Sequence, residues 1–563
     1  MPTLPPTSPI TVYSARRIVT MNPARPEATH VAVRDGRILG VGSLEELRGW
    51  GPHELDDRFA QAVLLPGFVE GHSHLMAGTL WRYAYCGFFD VLDPQGRRWP
   101  GAKSVDEVVA VLRAAAGPGV DDTSPITGWG FDPIYFGGGA GVQRLNRHDL
   151  DRVSATRPVG VLHASAHILN VNTVALRLAG FLRTGIEHPA FPLGEDGLPT
   201  GELKGPEAML PVLDSLGLSR SFLSGDEFGI RAFARLAVRT GVTTATDLAA
   251  TLQDAEVETL RRVTGEADYP LRLVPLLRLI GLKPADAVAR ALALRALSTE
   301  RLRLGAIKVV ADGSIQGFSA RLRWPGYYNG APQGLWYTAP EAMRECYTLA
   351  LRAGVPVHTH TNGDEATELA LDLMAAALAE VPRADHRFTL QHVQLADAAQ
   401  LRRMKALGLG VNLFANHHFY WGDQHRAVTV GPERAERMNA CATALREGVP
   451  LAIHSDAPVT PLAPLFTAWC AVNRLTASGH VLGAAERIGV ADALRAITLG
   501  AAYSLGLDGE VGSIECGKRA DFAVLGADPA TVAPERLKDV PVWGTVQGGR
   551  VFEAAAATAA PLH

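Results

Sequence analysis

The chain has 563 residues, 47% of them hydrophobic and 20% charged, with a formal net charge of −4. That length exceeds what one core usually serves, so a large unit plus a smaller one is expected, and the near-neutral charge gives no reason to expect nucleic acid or an acidic membrane as partner. The start, Met1-Pro2-Thr3-Leu4-Pro5-Pro6, carries neither a basic nor an apolar leader, and no apolar run is long enough to cross a bilayer, so a soluble cytoplasmic protein is expected.

Residues 1–62 read as short strands and turns. Ile10–Tyr13 and His30–Val33 alternate in hydropathy, and Asp35-Gly36 is a hairpin signal. The style returns near the other end in Gly512–Ile514, Ala520–Leu525 and Val542–Val546. Residues 1–62 and 506–563 together therefore predict one small β-sandwich built from both termini. The alanine-rich stretch Glu553–Ala560 reads as a frayed tail.

Residues 63–505 have a different rhythm. Eight apolar runs of strand length recur, at Val63–Phe68, Gly241–Leu248, Leu271–Leu279, Leu302–Val310, Val355–His360, Phe388–Val393, Leu409–Phe414 and Val449–His454. Helical patterns separate most of them, among them Pro340–Ala353 and Asp364–Leu378. Short buried strands alternating with helices imply parallel pairing with right-handed crossovers. Eight such units predict an α/β fold, a (β/α)8 TIM barrel. Phe68 and Gly241 stand about 170 positions apart, far beyond a single crossover. A long insertion is therefore expected after the first strand, at about 80–235. It contains the helical segments Val105–Ala115 and Asp226–Arg239. Its glycine-rich piece, Phe136–Gly141, lacks the lysine and the strand–turn–helix setting of a phosphate loop and reads as a flexible loop, a candidate lid.

Barrel enzymes work at the C-terminal ends of their strands. Ligand-type side chains fall there repeatedly: His72 and His74 after the first strand, Lys308 late in the fourth, His360 ending the fifth, His392 near the end of the sixth and Asp456 after the eighth. His72 and His74, at i and i+2, face one way on an extended chain, so both imidazoles can reach one ion. A lone strand-end histidine is more often structural; the set of six points to a metal site. His358 and His360 share the same spacing, as do His454 and Asp456, and spacing alone leaves open which of each pair reaches the site. The five cysteines, Cys86, Cys346, Cys441, Cys470 and Cys516, are scattered without a C-x-x-C pair, which disfavours a disulfide framework or a thiolate site.

Several stretches resemble the amidohydrolase superfamily, and within it the YtcJ-like branch related to N-substituted formamide deformylases. They are Leu65–His74, Ile307–Gly317, His360-Thr361-Asn362-Gly363-Asp364, Leu390–Gln394, His454–Val459 and the closing Val511–Asp521. The resemblance implies that His72, His74 and Asp456 bind one metal and that His360 and His392 bind a second. Lys308, as a carbamate formed with carbon dioxide, would bridge the two. An ion pair of Lys308 with Asp312 is the alternative. The His-x-x-Gly-Asp pattern selects His360 over His358, leaving His358 and His454 to orient ligands. Zinc is the expected metal, two per chain, with iron, manganese or a single ion left open.

The implied activity is hydrolysis of a non-peptide carbon–nitrogen bond in a small molecule, with Asp456 as general base and then acid. Deamination of a heterocycle, hydrolysis of an ester or carbamate, and a non-catalytic binding or regulatory role are the alternatives. The resemblance also allows a homodimer. Substrate-wall candidates are His417, His418 and Trp421 on the expected loop after the seventh strand, Trp129, Asp132 and Tyr135 in the insertion, and Asp312, His167 and Asn172. Where many relatives carry an arginine shortly after Asp-Gly-Ser, this chain has Ile315-Gln316-Gly317-Phe318. A neutral or apolar substrate is expected unless Arg321 or Arg323 supplies an anion grip.

Overall fold

The computed structural model describes residues 8–117, 123–137, 142–218 and 225–554. The expectations for the glycine-rich piece and the alanine-rich tail fall largely outside these residues.

Eight parallel strands form one sheet in chain order: Phe68–Glu70, Val242–Ala250, Arg272–Arg278, Ile307–Val310, Val357–Thr361, Thr389–His392, Gly410–Leu413 and Leu451–Ile453. This is the TIM-barrel arrangement. Helices cover the outside, including Pro340–Ala353, with proline in its first turn, and Asp364–Glu380. Between the first and eighth strands the ladder is incomplete. At the mouth, Ser73 and Ala457 form a parallel bridge, and Asp456 N–H donates to His72 O at 3.0 Å. Deeper in, Val69 N–H donates to Ile497 O at 2.9 Å, and the Glu70 carboxylate accepts from Ser455 N–H at 3.1 Å and Ser455 Oγ–H at 2.9 Å. The two strands are thus stitched where the metal-type residues sit.

The first apolar run is divided between two sheets. Val63–Pro66 closes the long strand His53–Pro66, which pairs antiparallel with Phe522–Leu525, and the barrel strand is only Phe68–Glu70. A run buried on both faces carries no sign of where it changes sheets. Gly67 marks the change: a Cβ there would clash with the Thr243 side chain.

Strands from both ends of the chain, between Ile10 and Pro66 and between Phe522 and Glu553, join one continuous seven-stranded sheet. Its core includes Ile18, Phe59, Leu64, Phe522 and Val546. A fully buried ion pair, Arg272 to Asp521 at 2.6 Å, ties the third barrel strand to it. The long insertion holds a five-stranded sheet that periodicity did not reveal, made of Ala84–Tyr85, Ile126–Phe131, Val159–His163, Ile168–Val171 and Glu202–Lys204. Its strands are short and interrupted by turns, so no window shows a clear period. Among the described residues no helix is long and apolar enough to cross a membrane. All five cysteines are free.

Candidate metal centre

The barrel mouth gathers five imidazoles near one carboxylate. Asp456 Oδ1 lies 3.1 Å from His74 Nε2 and 3.4 Å from His72 Nε2; Oδ2 lies 3.7 Å from His392 Nδ1. His454 Nε2 stands 3.0 Å from His392 Nδ1, and the His360 and His392 rings are 4.5 Å apart. Two donor triads emerge, His72–His74–Asp456 and His72–His392–His454. His392 and Asp456 have φ of 68° and 53°, a conformation that costs a non-glycine residue energy and collects at functional sites.

The proton on His72 is assigned by a chain of buried hydrogen bonds. Ser504 O can only accept, so His358 Nε2 donates to it at 2.9 Å and His358 Nδ1 is an acceptor. Gln391 Nε2 donates to that nitrogen at 2.7 Å, which turns Gln391 Oε1 toward His72. His72 Nδ1–H donates to Oε1 at 2.8 Å, and Asn412 Nδ2 donates to it at 3.0 Å. His72 Nε2 is left with a lone pair facing the site. Both nitrogens of His358 are used by the protein, whereas on His360 only Nε2 is, 3.3 Å from Gly313 O, which leaves Nδ1 as the fifth-strand nitrogen able to act as a donor.

Burial drives the His72, His360 and His392 pKa values well below the usual histidine range, keeping these rings neutral and able to donate lone pairs. For Asp456, burial pushes upward, but the His74 hydrogen bond and the charges of His74, His454 and Lys308 outweigh it and hold the carboxyl below its usual range. For His74, burial pushes down, yet Asp247 and Asp456 raise it to about 9. Burial pulls Lys308 down to about 7, with Asp456 opposing. Lys308 Nζ, His74 Nδ1, His454 Nδ1 and both Asp247 oxygens are buried without a hydrogen-bond partner. The neutral imidazoles of His72, His360 and His392, an anionic carboxylate and buried polar atoms lacking partners are a donor set that fits a divalent metal.

The cavity over the cluster measures about 180 Å³ and is lined by His72, His74, His167, Lys308, His360, His392 and Asp456. Met76, Leu162, Met209, Leu213 and Leu248 supply its apolar wall, and Arg278 and Tyr337 also reach it. The other sequence candidates lie elsewhere. Asp312 is fully buried behind His360 and accepts from the backbone N–H groups of Asn362, Gly363 and Arg321. It makes no ion pair with Lys308. The expected loop after the seventh strand is the helix His417–Gln424. Within it, His417 reaches a small recess beside the cluster, whereas His418 Nε2 donates to Met438 O at 3.1 Å, away from the cavity. Trp129, Tyr135 and Trp421 line a separate chamber, and Trp421 donates to Asp132 Oδ2 at 2.9 Å. Asn172 caps a helix by accepting from Ala175 N–H. Arg321 and Arg323 are paired with Glu365 and with Glu368 and Asp397, which removes them as anion grips.

Three participants were missed in the sequence. Asp247 sits 3.7 Å from His74 Nδ1, and Gln391 and Glu70 hold His72 and Ser455. Asp247 and Gln391 are polar residues inside apolar strand runs, and that was the available signal. His454 lies closer to the donors than a purely orienting role required.

A parallel barrel with imidazoles and a carboxylate converging at its C-terminal mouth belongs to the class of metal-site barrels. Comparison narrows the class: the model of the amidohydrolase family matches residues 60–552, and the chain belongs to that family. It is 27% identical to the putative amidohydrolase YtcJ of Bacillus subtilis, over 92% of this chain and 95% of that one. It is 26% identical to the N-substituted formamide deformylase of Arthrobacter pascens, over 93% and 94%. The fold is similar to the crystal structure of an uncharacterized metal-dependent hydrolase from Pyrococcus horikoshii, with a TM-score of 0.69 at 20% identity over 93% of this chain and 99% of that one.

Proposed function

We propose that the protein is a metal-dependent hydrolase of a non-peptide carbon–nitrogen bond, an amide or formamide of a small molecule. The observation that carries this reading is the convergence of His72, His74 and His392 on Asp456 inside a largely apolar cavity. His72, His74 and Asp456 would hold one ion and His360 and His392 a second, with zinc the metal that suits these donors. Lys308 is buried and unpartnered, and burial lowers its pKa to about 7, so its amine would add carbon dioxide and lose a proton to give a carbamate whose oxygens would serve as metal ligands. When bound there, the metal supplies Lewis acidity, which makes water nucleophilic near neutral pH and polarises a carbonyl.

The chain's own groups do the rest. Asp456 is anionic at neutral pH and takes the proton from the attacking water at its carboxylate oxygen. It then returns that proton to the departing nitrogen. Asp247 places negative charge 3.7 Å from His74 Nδ1, and the Gln391 chain orients His72. The apolar wall excludes bulk water and strengthens these electrostatic contacts.

The test is metal analysis of protein prepared with bicarbonate, followed by an amide and formamide panel. Close to two zinc ions per chain with turnover of a panel member is expected. No bound metal, and no turnover after metal is restored, would refute the reading.

A further inference from the structure

Beside the donor cavity lies a second chamber of about 190 Å³. Segments far apart in the chain build it: the stretch after the metal motif, the insertion sheet, the helix after the seventh strand and the turn after Asp456. Its walls are rings, chiefly Trp81, Tyr85, Phe89, Trp129, Tyr420 and Trp421. They brace one another edge to face, with centroids 5.3 Å apart for Trp81–Trp129, 4.9 Å for Tyr85–Trp129 and 4.9 Å for Phe89–Tyr420. Two polar tips are engaged elsewhere: Tyr85 OH donates to Phe89 O at 2.6 Å and Trp421 Nε1 to Asp132 at 2.9 Å.

Protein interiors are packed to crystal density, so a void of this size is not ordinary core. An apolar cavity of roughly 150 Å³ suffices for benzene. The charged groups on the lining are Asp93 and Arg239, one of each sign, and Asp93 already accepts from Arg97 and Trp99. Nothing there calls for an ionic ligand. Pro458 and Val459 line both this chamber and the donor cavity, so the two meet at the turn that carries Asp456.

We propose that this chamber is a subsite for one uncharged aromatic ring, borne by the substrate whose reacting group lies at the donor cluster. The ring's place on a substrate rests on the hydrolase reading; ring binding does not. Ring faces and edges reward an aromatic guest over a saturated one of the same size.

The test titrates benzyl alcohol and cyclohexylmethanol into the full-length protein, with metal removed and restored, and reads tryptophan fluorescence. Benzyl alcohol should bind roughly fivefold tighter in both states. Trp81→Ala should weaken it about fivefold by opening one wall, and Leu92→Trp should abolish it by filling the space. Both positions are half-buried, and thermal unfolding checks that each variant folds. Phenyl- and cyclohexyl-bearing amides of equal length are then compared by kcat/KM. A phenyl preference that both variants erase supports the assignment. Equal binding of the two alcohols, or binding indifferent to both variants, overturns the subsite. Ring binding without any phenyl preference in turnover overturns its assignment to substrate. Ring binding with no amide hydrolysed at all brings down the hydrolase reading and leaves the subsite standing.

Discussion

Gln391→Leu tests how the site is held. The substitution removes hydrogen bonds to His72 Nδ1, His358 Nδ1 and Asn412 Nδ2, of 2.8, 2.7 and 3.0 Å, all among residues at most 2% exposed. Each buried polar atom left without a partner costs about 1–3 kcal/mol, and leucine returns part of that by apolar burial, so a net loss of roughly 3–5 kcal/mol in stability is expected. The second effect is on the metal. With its Nδ1 acceptor gone, His72 is free to carry its proton on Nε2, and losing an orienting partner typically weakens metal binding about 10–100-fold.

Gln391→Glu separates the two effects. Its carboxylate still accepts from His72 and Asn412 but cannot donate to His358. It should therefore keep zinc affinity near that of the parent while losing stability. Chelator competition gives the affinities, and urea unfolding of the metal-free proteins gives the stabilities. If leucine costs stability yet binds zinc as tightly as glutamine does, the tautomer argument is wrong.

Asp456→Asn should lower kcat by about 10²–10⁴-fold while circular dichroism shows the parent fold; activity within a factor of a few would remove Asp456 as the base. Arg272→Met leaves Asp521 buried and uncompensated and should cost about 3–5 kcal/mol in urea unfolding, with much of it restored by adding Asp521→Asn; additive losses would contradict the pairing. Burial pushes the Asp132 carboxyl up to about 7, against hydrogen bonds from Ile134 N–H and Trp421. A carboxyl raised on folding binds more protons folded than unfolded, so its contribution to stability falls as pH rises from about 4 to about 7 and is flat above. Asp132→Asn should therefore match the parent near pH 4 and exceed it above pH 7 by up to roughly 4 kcal/mol; parallel stability curves would refute this.

The apolar runs and the ligand-type residues at their ends determined the parallel barrel and much of its site. A strand's C-terminal end is a local property, so His72, His74, Lys308, His360, His392 and Asp456 could be named before any contact was known. Alternation also placed His358 beside His360 and His454 beside Asp456, but not their roles. Those depend on Gln391, Ser504 O and His392, which only chain closure brings near. The division of Val63–Phe68 between two sheets was hidden for the same reason: burial on both faces erases the period that would reveal a partner. Trp129 and Trp421 were legible as aromatic residues of interest. Their membership in a chamber beside the donor cluster, not in its wall, was decided by the packing of segments hundreds of residues apart, because a cavity is a property of the surfaces that enclose it and not of any stretch of chain.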